Sequence, residues 1–336
     1  MSSRSSFHQR EESPILGLVI QVPNRGPVPD VMTSSRLPTD DQLPVRGRMG
    51  GGTDLERGRL VQQYFRAEAS FWRDVYRQGT LNGAIYRARR TRVLNFVDRL
   101  ALPPGARALE VGCGAGSTAI ALAQRGLRVD AVDAVSDMVH LTREAAAASA
   151  VTDQVTVHTS DVHRLCFDNH SFHLAVAVGV MEWLPSFAAP LKELSRVLRP
   201  GGWLIANVDN SRALHCLLDP RMNPLLSPAK RYLRRLGERA GVLKTMARPS
   251  RSSRTQFDRA LGNAGFIRAS GCTSGFGPLT LAGIHLLPDK LGVALHHGLQ
   301  GLADRGYPLV RNGGETYLVL AQKKAAHGVE CTVGKD

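Results

Sequence analysis

Three glycines at 112, 114 and 116, an acid two residues ahead of them at Glu110 and a further acid at Asp133 are the residues of this chain whose types and spacing could do chemistry. Glycine lets a backbone come close to a ligand, and carboxylates beside such a turn attract cations or accept hydrogen bonds from hydroxyls. The dinucleotide fingerprint G-x-G-x-x-G needs its third glycine at 117, where this chain has Ser117, so the pattern is G-x-G-x-G. No Lys-Ser/Thr pair follows the glycines, which excludes a phosphate-binding P-loop. Glu110 would repel a pyrophosphate, whereas it would attract a ligand carrying an amino group and a sulfonium.

The surrounding pattern supplies elements to position these residues. Residues 106–111 form a short, mostly apolar run after Pro103-Pro104-Gly105 and read as a buried strand. Residues 117–124 are rich in Ala and Leu, precede Gly126, and read as a helix with a glycine stop. A second strand over 127–132 ends in Asp133, placed to accept hydrogen bonds from ribose hydroxyls. A third over 155–158 leads into Ser160-Asp161-Val162, and a fourth over 172–178 into Gly179-Val180-Met181-Glu182-Trp183-Leu184. A helix over 191–198, stopped by Arg199-Pro200-Gly201-Gly202, precedes a fifth strand over 203–208.

In this order the segments resemble the class I S-adenosylmethionine-dependent methyltransferases of small-molecule type, and are similar to the ubiquinone and menaquinone families. The resemblance is strong over roughly 85–210 and weaker near 255–271 and 315–323. It implies an α/β fold: a Rossmann-like, doubly wound, seven-stranded and mostly parallel sheet whose last strand is antiparallel. It further implies that Glu110, Gly112, Cys113, Gly114, Gly116, Asp133, Ala134, Met138, Asp161, Val162 and Val178 hold S-adenosyl-L-methionine, leaving S-adenosyl-L-homocysteine as product. Within it, Asp161 takes the adenine amino group, and the segment from Gly179 to Leu184 lies beside the transferred methyl.

The rest of the chain is read around that core. Residues 1–52 are dense in Ser, Pro and Gly and are expected to be a disordered tail. Residues 53–325 are expected to form the methyltransferase domain, and 326–336 a flexible end. Tyr64, Phe65, Phe71, Trp72, Val75 and Tyr76 fall at helical spacings, and packing onto the sheet is the simpler reading for each. Insertions at about 210–254 and 275–308 follow strand ends, so they are expected to build a cap over the acceptor. No run of 18 apolar residues exists for a membrane-spanning helix, and residues 15–22 lack a signal-peptide pattern. The five cysteines are isolated, which suits a reducing cytoplasm, the expected location.

The formal net charge is +14, and residues 210–254 carry eleven Lys or Arg against two acids. Such a field draws an anionic or lipid-like acceptor or a membrane surface, and equally fits a solvated surface. The segment after the fourth strand lacks the D/N-P-P-Y/F of nucleic-acid methyltransferases, so DNA is excluded as a partner and RNA is disfavoured. Either a monomer or a homodimer fits the sequence. Methyl transfer needs a base only if the acceptor must lose a proton. His215, after the fifth strand, and Glu182 are the candidates for that role. Four histidines within 158–173 come without H-E-x-x-H or carboxylate pairing, so no metal is expected. The reading is a methyltransferase acting on a small-molecule, lipid- or saccharide-like acceptor. Its rivals are an RNA methyltransferase and a non-catalytic, cofactor-binding regulatory subunit.

Overall fold

The computed structural model describes residues 54–220, 222–223, 226, 249–281 and 284–325. The expected N-terminal and C-terminal tails and most of the basic insertion lie outside the described residues. Three helices lead the described chain: α1 (Asp54–Ala67), α2 (Ala69–Asp74) and α3 (Leu81–Val97). The last of these opens where the Thr80 hydroxyl accepts the Gly83 backbone N–H at 3.2 Å.

Alternation then sets in: β1 (Arg107–Val111), α4 (Ser117–Ala123), β2 (Arg128–Asp133), α5 (Ser136–Ala148), β3 (Val155–Thr159), β4 (Phe172–Ala177), α6 (Ala188–Val197) and β5 (Leu198–Asn210). After it come α7 (Leu214–Leu218), β6 (Arg251–Ser252), α8 (Arg254–Asn263), β7 (Phe266–Ser274), β8 (Thr280–Leu281), β9 (Ile284–His285), α9 (Asp289–Asp304) and β10 (Thr316–Lys323). The sheet runs β3-β2-β1-β4-β5-β10-β7, and the short β6 pairs with β5. Strands β1 to β5 are mutually parallel, and β10 is antiparallel to both of its neighbours. This is the Rossmann-like α/β architecture expected. The last strand is threaded between β5 and β7, and β8 and β9 form a separate ribbon.

Both faces of the sheet are covered, which is why its strands read as near-continuous apolar runs. On one face Val93, Phe96 and Val97 of α3 pack with Ala119, Leu122 and Val139 over alternate residues of β1 to β5. On the other, Leu191 and Leu194 of α6 and Phe257 and Leu261 of α8 cover Leu109, Phe172 and Tyr317.

One boundary departs from the sequence reading. The Arg199-Pro200-Gly201-Gly202 step lies within β5, which begins at Leu198 rather than at 203. The register against β4 shifts between Phe172 and Leu174, and Gly201 adopts φ +74°. Such a bulge accommodates Pro and Gly inside a paired strand.

Candidate functional site

Gly112, Gly114 and Gly116 have φ of +69°, +55° and +79°, a left-handed region that residues with a Cβ rarely adopt. The three positions are not equivalent. A Cβ on Gly112 would fall 2.4 Å from Val180 Cγ2, and one on Gly116 would fall 3.0 Å from Thr142 Cγ2. At Gly114 a Cβ would meet nothing within 4 Å. The turn is therefore packed at both ends and open in the middle, where a ligand can reach the backbone.

Carboxylates brace this turn from two sides. Asp133, at the end of β2, accepts the Gly114 N–H on Oδ2 at 3.0 Å and the Val135 N–H on Oδ1 at 2.9 Å. Burial raises its pKa, and the backbone donors oppose that shift. Glu110 is only 5% exposed, and it is hydrogen-bonded to the Thr118 side chain and the Ala119 N–H in the first turn of α4. Its Oε2 is buried without a partner. Burial pushes this carboxyl up to about 8, so it is mostly neutral at pH 7 until a cation arrives. The sequence argument took Glu110 as a standing negative charge, and desolvation is the reason that differs.

The remaining predicted cofactor residues divide by exposure. Ala134 and Asp161 are exposed and Val178 is half-buried, so each offers surface at the strand ends. Asp161 Oδ1 already accepts the His163 N–H at 2.8 Å and lies 2.6 Å from His163 Nδ1, leaving Oδ2 free. Cys113 is buried, with its N–H on Val132 O, and Val162 is buried too. Met138 is 1% exposed. Packing of α5 against the sheet turns it inward.

A buried polar cluster lies at the ends of β4 and β5. The Gly179 N–H donates to Asn207 Oδ1 at 2.6 Å, and Asn207 Nδ2 reaches Glu182 Oε1 at 3.5 Å. Glu182 is 4% exposed, and its Oε2 has no partner. Burial and the neighbouring Asp209 both push its carboxyl upward, and burial does the same to Asp209. Since Val180 abuts Gly112, this cluster borders the glycine turn. His215 stands apart. It is 3% exposed, and its Nε2 accepts from Arg251 Nη1 at 3.1 Å. Burial and then Arg251 lower its pKa to about 3. A ring whose lone pair already faces a guanidinium is poorly placed to take a substrate proton.

The sequence reading missed two arginines of α3. Arg90 donates to Ser117 Oγ at the start of α4, and its guanidinium lies 5.2 Å from the Tyr76 ring centroid. Arg89 stacks 4.6 Å from the Tyr86 ring and reaches within 3.7 Å of the Cβ position of Gly179. The Arg87-Ala88-Arg89-Arg90 run in a helix that covers the sheet was the available signal. Above them the helical aromatics join residues after β4. Tyr64 stacks on Trp183 at 5.1 Å and 26°, Phe65 meets Trp183 edge-on at 5.0 Å, and Trp72 meets Tyr86 at 5.4 Å. Phe71 and Val75 are core, whereas Tyr64, Phe65, Trp72 and Tyr76 keep accessible surface. The Trp72 Nε1–H is buried without an acceptor.

Residues 109–206 match the methyltransferase domain family. The sterol 4-C-methyltransferase strm-1 of Caenorhabditis elegans is 25% identical over 111 residues, 33% of each chain. The ubiquinone biosynthesis O-methyltransferase of Paracidovorax citrulli is 29% identical over 126 residues, 37% of this chain and 52% of that one. The chain thus spans from a third to about half the length of these curated relatives. The solved magnesium protoporphyrin IX methyltransferase of Synechocystis PCC 6803 shares the fold at a TM-score of 0.50 and 18% identity, over 80% of this chain and 100% of that one. The glycine turn, both flanking acids and the Val180-to-Trp183 step fall inside or directly beside the matched segment. Over residues 109–206 this chain is therefore similar to methyltransferase domains.

Proposed function

We propose that this protein transfers a methyl group from S-adenosyl-L-methionine to a small-molecule acceptor. The observation that carries this reading is the opening at Gly114, set between Asp133 and Glu110 and bordered through Val180 by the Glu182 cluster. The residues fit the cofactor. Gly114 leaves room for it, Asp133 retains lone pairs for ribose hydroxyls, and the partnerless Glu110 Oε2 offers an acceptor to an ammonium. Ala134, Asp161 and Val178 would border the adenosine, and Arg90 would face the amino-acid carboxylate. When bound, the cofactor supplies an activated methyl for in-line displacement.

The chain's own residues then have two tasks. The first is to hold the acceptor in line, because positioning supplies much of the acceleration in such a displacement. Tyr64, Phe65, Trp72, Tyr86 and Trp183 give this side an aromatic lining suited to a flat or apolar acceptor, and Arg89 suits an acceptor that also carries an anionic group. The second task is to take a proton where the acceptor must lose one. Glu182 is the group for it, since its Oε2 is unpaired and its raised pKa makes its ionised form an effective base near neutrality. His215 is not. The two insertions would complete the acceptor pocket, and contact with a membrane surface stays part of the proposal only through the charge of the 210–254 segment.

Calorimetric titration with S-adenosylmethionine, followed by a screen of acceptor extracts with radiolabelled cofactor, tests this reading. Saturable binding and a labelled small molecule are expected. Binding without label in any extract would instead assign the chain to a non-catalytic role.

A further inference from the structure

We propose that the cleft between α3, β7 and α9 is a second ligand site, one that binds the phosphate group of a small molecule. The cleft is a cavity of about 550 Å³, within the ordinary size range of small-molecule sites. Four arginines line it, Arg92, Arg99, Arg254 and Arg311, against a single acid, Asp304. They come from three distant parts of the chain and converge only in the fold.

Two of the four are held in place. Arg92 Nη2 lies 2.7 Å from both oxygens of Asp304, while its Nε is buried with no partner. Arg254 Nη1 donates to Asn312 Oδ1 at 2.5 Å, and its guanidinium lies 5.7 Å from the Tyr317 ring centroid. The guanidinium groups of Arg99 and Arg311 have no side-chain partner among the described residues. One carboxylate therefore stands against four cations in one concavity, an excess of positive charge that favours an anion there. Guanidinium forks match phosphate oxygens in geometry as well as charge. The wall facing α3 is formed by residues 270–273 of β7, an edge strand that pairs only with β10 among the described residues. Its unpaired backbone edge can add N–H donors to the same ligand.

The cleft is distinct from the glycine turn. Arg89 and Arg90 of α3 face Gly179 and Ser117, whereas Arg92 and Arg99 face the cleft. It is distinct as well from the basic 210–254 segment, which contributes only Arg254.

The test is calorimetric titration of the full chain with inorganic diphosphate at low ionic strength, repeated with Arg99→Ala and Arg311→Ala. Both side chains are exposed, and a thermal melt of each variant checks the fold. Saturable binding is expected, weakened about tenfold by either substitution, the equivalent of one charge-assisted hydrogen bond. S-adenosylmethionine affinity should be unchanged in both variants, which separates this site from the proposed function. Failure to bind diphosphate, or equal binding by all three proteins, overturns the proposal. So does loss of diphosphate and cofactor binding together, which would place the anion at the glycine turn. Sedimentation with phosphatidylglycerol vesicles identifies the source of the phosphate. Pelleting that the same substitutions reduce points to a lipid headgroup, and diphosphate binding without pelleting points to a soluble ester.

Discussion

Asp133 and Gly114 are joined by a hydrogen bond of 3.0 Å from the glycine N–H to the carboxylate, and this bond ties the end of β2 to the open centre of the turn after β1. The same carboxylate takes the Val135 N–H at 2.9 Å, so it shapes two loops before any ligand arrives. Removing it should cost both stability and cofactor affinity. For Asp133→Ala, about 1–3 kcal/mol of stability should be lost, because two partly buried N–H groups lose their acceptor. Calorimetry at a temperature where the variant stays folded should show S-adenosylmethionine binding weakened by about a hundredfold or more. Unchanged affinity would remove the ribose assignment.

Gly112 and Gly114 should respond differently to alanine. Gly112→Ala combines a left-handed φ with a Cβ 2.4 Å from Val180 Cγ2, so it should lower stability by about 2–4 kcal/mol. Val180→Ala in the same chain should restore part of that loss. Gly114→Ala meets no atom and should cost only about 1 kcal/mol, yet it fills the space offered to the ligand. Thermal melts paired with cofactor titrations distinguish the two. A variant at 114 that binds as tightly as the parent would show that the opening is not the ligand's approach.

The cofactor-free chain should become less stable as pH rises. Glu110 moves from 4.5 in the unfolded chain to about 8 in the folded one. Its contribution is therefore complete below about pH 4.5 and is lost as pH climbs through about 8. Glu182 and Asp209 shift in the same direction and add to the slope. Melting temperatures measured across that window should fall in the parent and fall less in Glu110→Gln. A cationic ligand favours ionised Glu110, so cofactor affinity should rise over the same range. A flat melting profile for the parent would contradict the burial of these carboxyls.

Glu182 and His215 can be separated by kinetics once an acceptor is in hand. Glu182→Gln keeps the contact with Asn207 and removes the base. It should reduce kcat by about 100-fold or more, leave KM nearly unchanged and abolish the acidic limb of the pH profile. His215→Asn should act on stability instead, because it disturbs the contact with Arg251. A large kcat loss at His215 with an intact melt would reverse the two roles.

Much of the donor side was legible in the sequence. The strand-turn-helix around Glu110 to Ser117, the acid closing β2 and the strand boundaries through β4 follow from local rules: apolar run length, glycine placement and helix stops. These act over a few residues, so the chain alone determines them. Pattern went wrong where tertiary context outweighed it. Pro200 and the two following glycines read as a helix stop ahead of the strand, and a bulge against β4 carries them in the strand. His215 stood as a candidate base, and burial beside Arg251 lowers its pKa and engages its lone pair. Glu110 read as a charge, and desolvation neutralises it.

The sequence by itself determined the fold class and the glycine turn with its flanking acids, because these lie in order along one stretch of alternating strands and helices. Only the tertiary structure decided what gathers around that turn. Tyr64 stacks on Trp183 across more than a hundred residues, Arg90 reaches Ser117 from a helix ahead of the sheet, and β10 slots between β5 and β7. Four arginines from three separate segments meet in one cleft. No local rule encodes such meetings: they arise when apolar faces of distant elements are buried together, and the polar groups on their margins are carried along.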